Sequence, residues 1–358
     1  MIIFLSAVAV IAVAVFLFLR HPKFGGKPSG KRLELIQESP NFKNGTFQNT
    51  SKTPQLAEDA TFSKMFRDFF SAKNRRPKGK IPSVKTDLLG LQPEEDVLIW
   101  FGHSSYFMQI DGKKILVDPV FSGSASPFSF MVKAFEGTDI YSAEDFPEID
   151  YLFITHDHWD HLDYKTIIQL KSKINKIITG LGVGSHFERW GFEQNKIIER
   201  DWNQEIKFAD GLTVHTNTSR HFAGRGLQRN NTLWSSFVLI TPSYKIFIGG
   251  DSGYDSYFAE IGNKFGGFDL AILENGQYNE SWKYIHMMPH EVLKAAKELN
   301  AKRLFPVHSG KFALANHTWK EPLRKITELN KNVRIPLVTP MIGEKVLLNL
   351  HEQKFSKW

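Results

Sequence analysis

The densest chemistry in this sequence is the run Thr155-His156-Asp157-His158-Trp159-Asp160-His161-Leu162-Asp163. His156, His158, Asp160 and His161 put four side chains able to bind a metal within a single short segment. Neutral imidazoles suit zinc and its first-row neighbours, and a carboxylate lets a second ion share the site. One ion cannot readily use all four groups at this spacing. Two can, if later segments add ligands. A solvated His/Asp tract that binds no metal is the competing reading, and the run alone does not exclude it.

Three further segments weigh against a bare tract. His221 lies just past Leu212–His215, Asp251 follows Lys245–Ile248 through Gly249-Gly250, and His308 follows Leu304–Val307. Each is a His or Asp beyond a β-rich run, just as the first cluster follows Tyr151–Thr155. Strand ends are where open α/β sheets place functional loops. Singly, each reads as a packed or exposed polar residue. Jointly they point to metal.

Other chemistries are excluded. The chain has no cysteine, so there is no disulfide scaffold, thiolate zinc site, iron–sulfur cluster or cysteine nucleophile. Gly-x-Ser-x-Gly, a P-loop and a GxGxxG dinucleotide turn are also missing. With 42% hydrophobic and 23% charged residues, the 358-residue chain has ordinary globular composition.

The elements that must position these residues begin at Asp96. Val97–Phe101, Lys114–Val117, Tyr151–Thr155, Lys176–Thr179, Leu212–His215, Ser236–Ile240, Lys245–Ile248, Leu270–Leu273, Arg303–Val307 and Lys345–Leu348 read as strands. Helical patterns cover Tyr164–Leu170 and Glu291–Leu299, the latter after Pro289. Strands interleaved with helices predict one α/β domain over 96–358.

The N-terminal quarter reads differently. Ile2–Leu19 is apolar apart from Ser6, about 27 Å as a helix, and predicts a transmembrane anchor over 1–19. No Lys or Arg precedes Ile2, which disfavours a cleaved signal peptide. Arg20, Lys23, Lys27, Lys31 and Arg32 follow, and the positive-inside rule places the catalytic domain in the cytoplasm. Residues 20–95 form a basic juxtamembrane extension. Within it Phe62, Met65, Phe66, Phe69 and Phe70 fall at helical spacing behind Asp59 and Thr61 as caps. Packing of this amphipathic helix onto the main domain is favoured over contact with an anionic bilayer. Phe128, Phe130, Met131, Phe135 and Tyr141 lie in a long loop that either receives acyl chains or packs beneath itself.

The order His-x-His-x-Asp-His, then His, Asp and His each after a strand, resembles the ligand order of the metallo-β-lactamase superfamily, over roughly Asp96 to His351. Within it the sequence is most similar to N-acylphosphatidylethanolamine-hydrolysing phospholipase D and its RomA-type bacterial relatives. Trp100-Phe101-Gly102-His103, Val117-Asp118-Pro119-Val120-Phe121, Asp160-His161-Leu162-Asp163, Gly250-Asp251-Ser252-Gly253-Tyr254 and Phe312-Ala313-Leu314-Ala315-Asn316 carry the likeness. Leu162-Asp163 departs from β-lactamases and glyoxalase II-type thioesterases, which usually place a small residue there.

The resemblance implies a four-layer αββα sandwich. It assigns His156, His158 and His221 to one divalent ion and Asp160, His161 and His308 to another, with Asp251 bridging. Zinc is the first expectation, and manganese or iron remain compatible. It also implies phospholipase D-like hydrolysis by a metal-bridging hydroxide, with Asp160, Asp251 and His286 catalytic. The products would be phosphatidic acid and an N-acylethanolamine. His286 is expected beside the substrate phosphate, His103 as a brace for the ligand loops, and Asp163 as the partner of a ligating histidine. His317 is expected to be peripheral, and His186, His215, His290 and His351 carry no motif. A lactonase or other carboxyl-ester hydrolase is the alternative, and a vestigial metal-binding protein a third reading. The expected partners are phospholipid and membrane. Nucleic acid is not expected, because the net charge of +7 is modest and its basic residues concentrate towards the membrane-proximal end. Oligomeric state is left open.

Overall fold

The computed structural model describes residues 2–58 and 60–358. Its helices are α1 (Ile2–Leu19), α2 (Gly30–Glu38), α3 (Phe62–Ser71), α4 (Tyr164–Leu170), α5 (Gly184–Arg189), α6 (Tyr257–Phe265), α7 (Pro289–Glu298) and α8 (Glu321–Val333). A hairpin, β1 (Phe42–Lys43) and β2 (Thr46–Phe47), stands apart from two large sheets.

The first sheet contains β3 (Val97–Trp100), β4 (Tyr106–Ile110), β5 (Lys113–Val117), β6 (Ile149–Ile154), β7 (Ile174–Gly180) and β8 (Ile197–Arg200). The second contains β9 (Glu205–Lys207), β10 (Thr213–Asn217), β11 (Ser236–Ile240), β12 (Lys245–Ile248), β13 (Leu270–Glu274) and β14 (Leu304–Val307). The last strand, β15 (Lys345–Leu347), returns to the first sheet beside β3. β5 through β8 run parallel, as do β12 through β14, whereas the hairpin-linked strands are antiparallel.

Alternation of side chains along the strands separates the layers. Leu98, Met108, Ile115 and Phe153 of the first sheet meet Val214, Phe237, Ile246 and Phe305 of the second in a central core. The opposite faces pack on helices. Leu152 and Ile177 meet Ile167 of α4 and Phe187 of α5, while Phe247 and Leu273 meet Phe258 of α6, Val292 of α7 and Ile326 of α8. This is the four-layer αββα sandwich that the resemblance implies. Its parallel strands end on one side, where the candidate ligands gather.

The N-terminal segment departs from expectation. Among the described residues no helix is long and apolar enough to cross a membrane, so the anchor over 1–19 is corrected. At 18 residues α1 is at the short end of the roughly 17–25 that cross a hydrocarbon core. Its last turn is docked on the domain instead, with Phe18 stacked on Phe128 at 4.9 Å between ring centres. Residues 30–47 dock through Ile36 and Phe47, buried among Trp202, Leu233 and Trp234.

α3 forms where the spacing predicts it, and Met65 N donates to the Thr61 carbonyl at its start. The other proposed cap, Asp59, lies outside the described residues. Packing onto the main domain is only partly realised, because Phe66 and Phe70 are 68% and 70% exposed. The long loop is divided likewise: Phe121, Phe135 and Tyr141 are buried, whereas Phe130 and Met131 face solvent.

Candidate metal centre

β6 is buried along almost its whole length and delivers the His/Asp run at its end. The chain then turns tightly, with His161 N and Leu162 N both donating to the His158 carbonyl, at 3.1 and 2.8 Å. Asp163 closes the turn by capping α4. Asp251 arrives from β12 through Gly250, whose φ of +62° suits glycine. A Cβ at Gly250 would sit 2.9 Å from that of Thr155. His308 leaves β14 with φ +66° and pairs with His103, φ +54°. His308 N donates to the His103 carbonyl and His103 N to that of Ser309, at 2.9 and 2.8 Å. Left-handed backbone at non-glycine residues is costly and persists where surrounding bonds enforce it.

All seven expected ligands come together. Asp251 is central: its Oδ2 lies 3.2 Å from His161 Nε2 and 3.8 Å from Nε2 of both His156 and His221. Its Oδ1 lies 3.1 Å from His308 Nδ1. His158 Nδ1 is 2.8 Å from His156 Nε2 and 3.3 Å from His221 Nε2. Asp160 Oδ2 is 3.5 Å from His161 Nε2.

Neighbouring groups fix the rings. His161 Nδ1 contacts Asp118 Oδ2 at 2.8 Å, and Asp118 also accepts from Thr155 N and Oγ1. His221 Nδ1 donates to the Ile285 carbonyl at 2.9 Å, leaving Nε2 as a lone pair aimed inward. Burial, followed by the crowding of other imidazoles, holds His156 well below the usual histidine range. Burial likewise depresses His221 and His308. Burial alone would raise Asp160 and Asp251, but the surrounding imidazoles outweigh it and hold both well below the carboxylate range.

This donor set fits divalent cations. Among the described residues, His161 Nε2 and Asp251 Oδ1 are buried with no well-directed hydrogen bond, although donor atoms of the site lie 3.1–3.2 Å away, and poorly satisfied buried polar atoms are costly. His156, His158 and His221 each offer a nitrogen within 4.8 Å of the others, and so do the donors of Asp160, His161, His308 and His103. Nitrogen facing nitrogen at 2.8 Å requires a shared proton, or a cation bonded to both from one side.

The remaining candidates sort clearly. His286 joins the site, its ring 5.0 Å from that of His221 and 5.3 Å from that of His308. His103 braces Asp160 through Nε2 at 2.8 Å. Asp163 does not orient a histidine: its carboxylate accepts from Ser122 N, Lys165 N and Thr166 Oγ1. Asp118 does that work for His161. His317 lies outside the donor set and accepts from Gln277 N. His186 anchors Asp157 at 3.0 Å.

Sequence reasoning missed Glu274, at the end of β13. Its Oε2 meets His286 Nδ1 at 2.6 Å, and its Oε1 accepts from Ser252 N and Met287 N. The only signal was its place at a strand end like those of the other functional residues. His286 opens onto a cavity of ≈380 Å³, walled by Met65, Phe222, Trp282, Ile285 and Leu314 with Gln55 and Arg229 on its rim.

Comparison with known proteins agrees with this architecture. Residues 113–309 match the model of the beta-lactamase superfamily domain. The outer membrane protein RomA of Klebsiella pneumoniae is 56% identical over 106 residues, 30% of this chain and 80% of that protein. N-acyl-phosphatidylethanolamine-hydrolyzing phospholipase D 1 of Caenorhabditis elegans is 30% identical over 244 residues, 64% of this chain and 68% of that one. The structure of a metallo hydrolase from the archaeon Ignicoccus hospitalis superposes with TM-score 0.54 at 19% identity, over 70% of this chain and 97% of that one.

Proposed function

We propose, for a chain that belongs to the β-lactamase superfamily and is one of its metal-dependent hydrolases, that the substrate is a phospholipid phosphodiester such as N-acylphosphatidylethanolamine. His156, His158 and His221 would hold one divalent cation, and Asp160, His161 and His308 the other. Asp251 would serve both. Zinc suits this His/Asp set best, and manganese or iron are compatible with it. A bound pair of cations supplies a water acidic enough to attack phosphorus at neutral pH and positive charge for the phosphoryl oxygens.

The chain's own residues do the rest. Asp118 and the Ile285 carbonyl hold the tautomers of His161 and His221, so that lone pairs face the centre. Glu274 turns the other nitrogen of His286 toward the cavity. Burial disfavours a charged His286, but the Glu274 carboxylate outweighs it and raises the ring above the usual histidine range. A ring that keeps its proton can give it to the departing oxygen as the P–O bond breaks. Phosphatidic acid and an N-acylethanolamine result. Met65, Phe222, Ile285 and Leu314 line the cavity with apolar surface suited to the hydrocarbon part of a lipid.

One observation carries this reading: an imidazole held at 2.6 Å by a buried carboxylate, on an apolar cavity wall, with its ring 5.0 and 5.3 Å from two of the ligand rings. The likeness to the nematode phospholipase D supports the same substrate class. The test is incubation of purified, metal-loaded protein with radiolabelled N-acylphosphatidylethanolamine. Release of phosphatidic acid is expected. None, with metals verified as bound, contradicts the reading.

A further inference from the structure

We infer that the rim of the cavity is a membrane-docking surface, a ring of apolar and basic side chains that seats the mouth of the site on an anionic phospholipid bilayer. The inference rests on the lipid-substrate reading and adds where the protein meets the lipid.

The ring can be followed contact by contact. From the cavity wall, Phe222 and Arg229 bracket a loop whose tip, Leu227, is 85% exposed. Gly226 of that loop runs beside the Phe24 ring. Phe24 packs edge-on to Phe18 at 5.1 Å, Phe18 stacks on Phe128, and Phe128 reaches Phe130 at 5.7 Å. Val132, farther along this loop, packs in one cluster with Leu314, which is again cavity wall. On the other side Met65 of α3 lines the cavity, while Phe66 and Phe70 of the same helix stand outward, paired at 4.5 Å. The chain leaving α3 is strapped to the same loops, because Arg75 donates to the Ala315 carbonyl and Arg76 to those of Lys133 and Ala134.

This surface is unlike a solvated rim. Phe66, Phe70, Phe130, Met131 and Leu227 are 47–85% exposed around one opening, and exposed apolar side chains grouped around one opening mark an interaction site. Exposed cations stand among them: Arg229 on the cavity rim, Arg76 beneath the Phe130 loop and Arg20 at the foot of α1. Apolar side chains interleaved with cations match the interface of an anionic bilayer, where hydrocarbon and phosphate lie a few ångströms apart. α1, apolar and exposed, extends from the same ring at Phe18.

The absence of cysteine from the sequence makes a clean test possible. Single-cysteine variants of the full chain, Phe66→Cys, Phe130→Cys and Leu227→Cys, are labelled with an environment-sensitive fluorophore. Ser243→Cys is the control; it lies in the exposed turn before β12, at the end of that strand away from Asp251. Vesicles of phosphatidylcholine and phosphatidylglycerol carrying a lipid-bound quencher are then added. All three rim labels are expected to shift to the blue and lose at least half their intensity, while Ser243→Cys changes little. Quenching of a Val10→Cys label on α1 with none at the rim would overturn the inference, as would no quenching at any position. A shift that needs no vesicles and grows with protein concentration would assign the rim to a second copy of the chain and overturn it too. The readout needs no turnover, so it succeeds or fails separately from hydrolysis of the lipid.

Discussion

Glu274 and His286 meet through a 2.6 Å bond between Oε2 and Nδ1, and the carboxylate is buried to 1% exposure. Its other oxygen is held by the Ser252 and Met287 amides, so the carboxylate cannot turn away from the ring. Glu274→Gln should lower kcat about 10- to 100-fold, the usual effect of losing a group that orients a site histidine. KM should move much less, and Glu274→Asp should restore part of the loss. An unchanged kcat, measured beside unaltered circular dichroism, would remove His286 from the proposed chemistry.

Asp251 touches both halves of the donor set, whereas His158 belongs to one. Asp251→Ala and His158→Ala should each abolish turnover and leave the fold intact, since both lie at loop tips beyond the strands. Steady-state assay and near-ultraviolet circular dichroism check this. Full activity in both variants would contradict a two-ion site.

Cations bound by the folded chain must stabilise it. Occupancy at a hundred times Kd contributes about 2.7 kcal/mol per site when the unfolded chain does not compete. Calorimetry with and without a strong chelator should therefore show a clear drop in Tm on metal removal, reversed by adding zinc. Coincident transitions would contradict the fit of these buried donors to cations.

Arg225 ties the N-terminal segment to the ligand loop. It donates to the carbonyls of Asp157 and Leu162, at 2.8 and 2.5 Å, and to that of Lys23, while its guanidinium lies 4.1 Å from the Trp159 ring centre. Arg225→Met should destabilise the protein by roughly 1–3 kcal/mol for each buried carbonyl left without a donor. Urea unfolding measures this, and an unchanged midpoint would show that the latch carries no stability.

The sequence made the centre legible because its ligands follow strongly apolar strands: β6, β12 and β14 announce themselves, and the His or Asp beyond each is conspicuous. β4 escaped notice because Gln109 breaks its pattern; it is buried and bonded to the Gln92 and Glu95 carbonyls, a satisfaction visible only in three dimensions. β8 and β9 are short and partly charged, and pairing with neighbours makes them strands. Asp118 and Asp163 exchanged roles for a similar reason. Asp163, two residues past His161, was the nearer carboxylate in sequence, but capping α4 consumes it, whereas parallel pairing of β5 with β6 brings Asp118 beneath His161. Glu274 offered only its place at the end of β13, since nothing along the chain links it to His286. For the apolar N-terminus, composition announces hydrocarbon, but the stacking of Phe18 on Phe128 joins residues 110 apart and exists only in three dimensions.

The most direct measurement is the metal content of purified chain, read by elemental analysis beside protein concentration from amino-acid analysis. The donor set predicts two equivalents of divalent transition metal per chain, falling to one or fewer in Asp251→Ala. Less than one equivalent in the parent after equilibration with zinc, or a content that Asp251→Ala leaves untouched, would contradict a paired-cation centre.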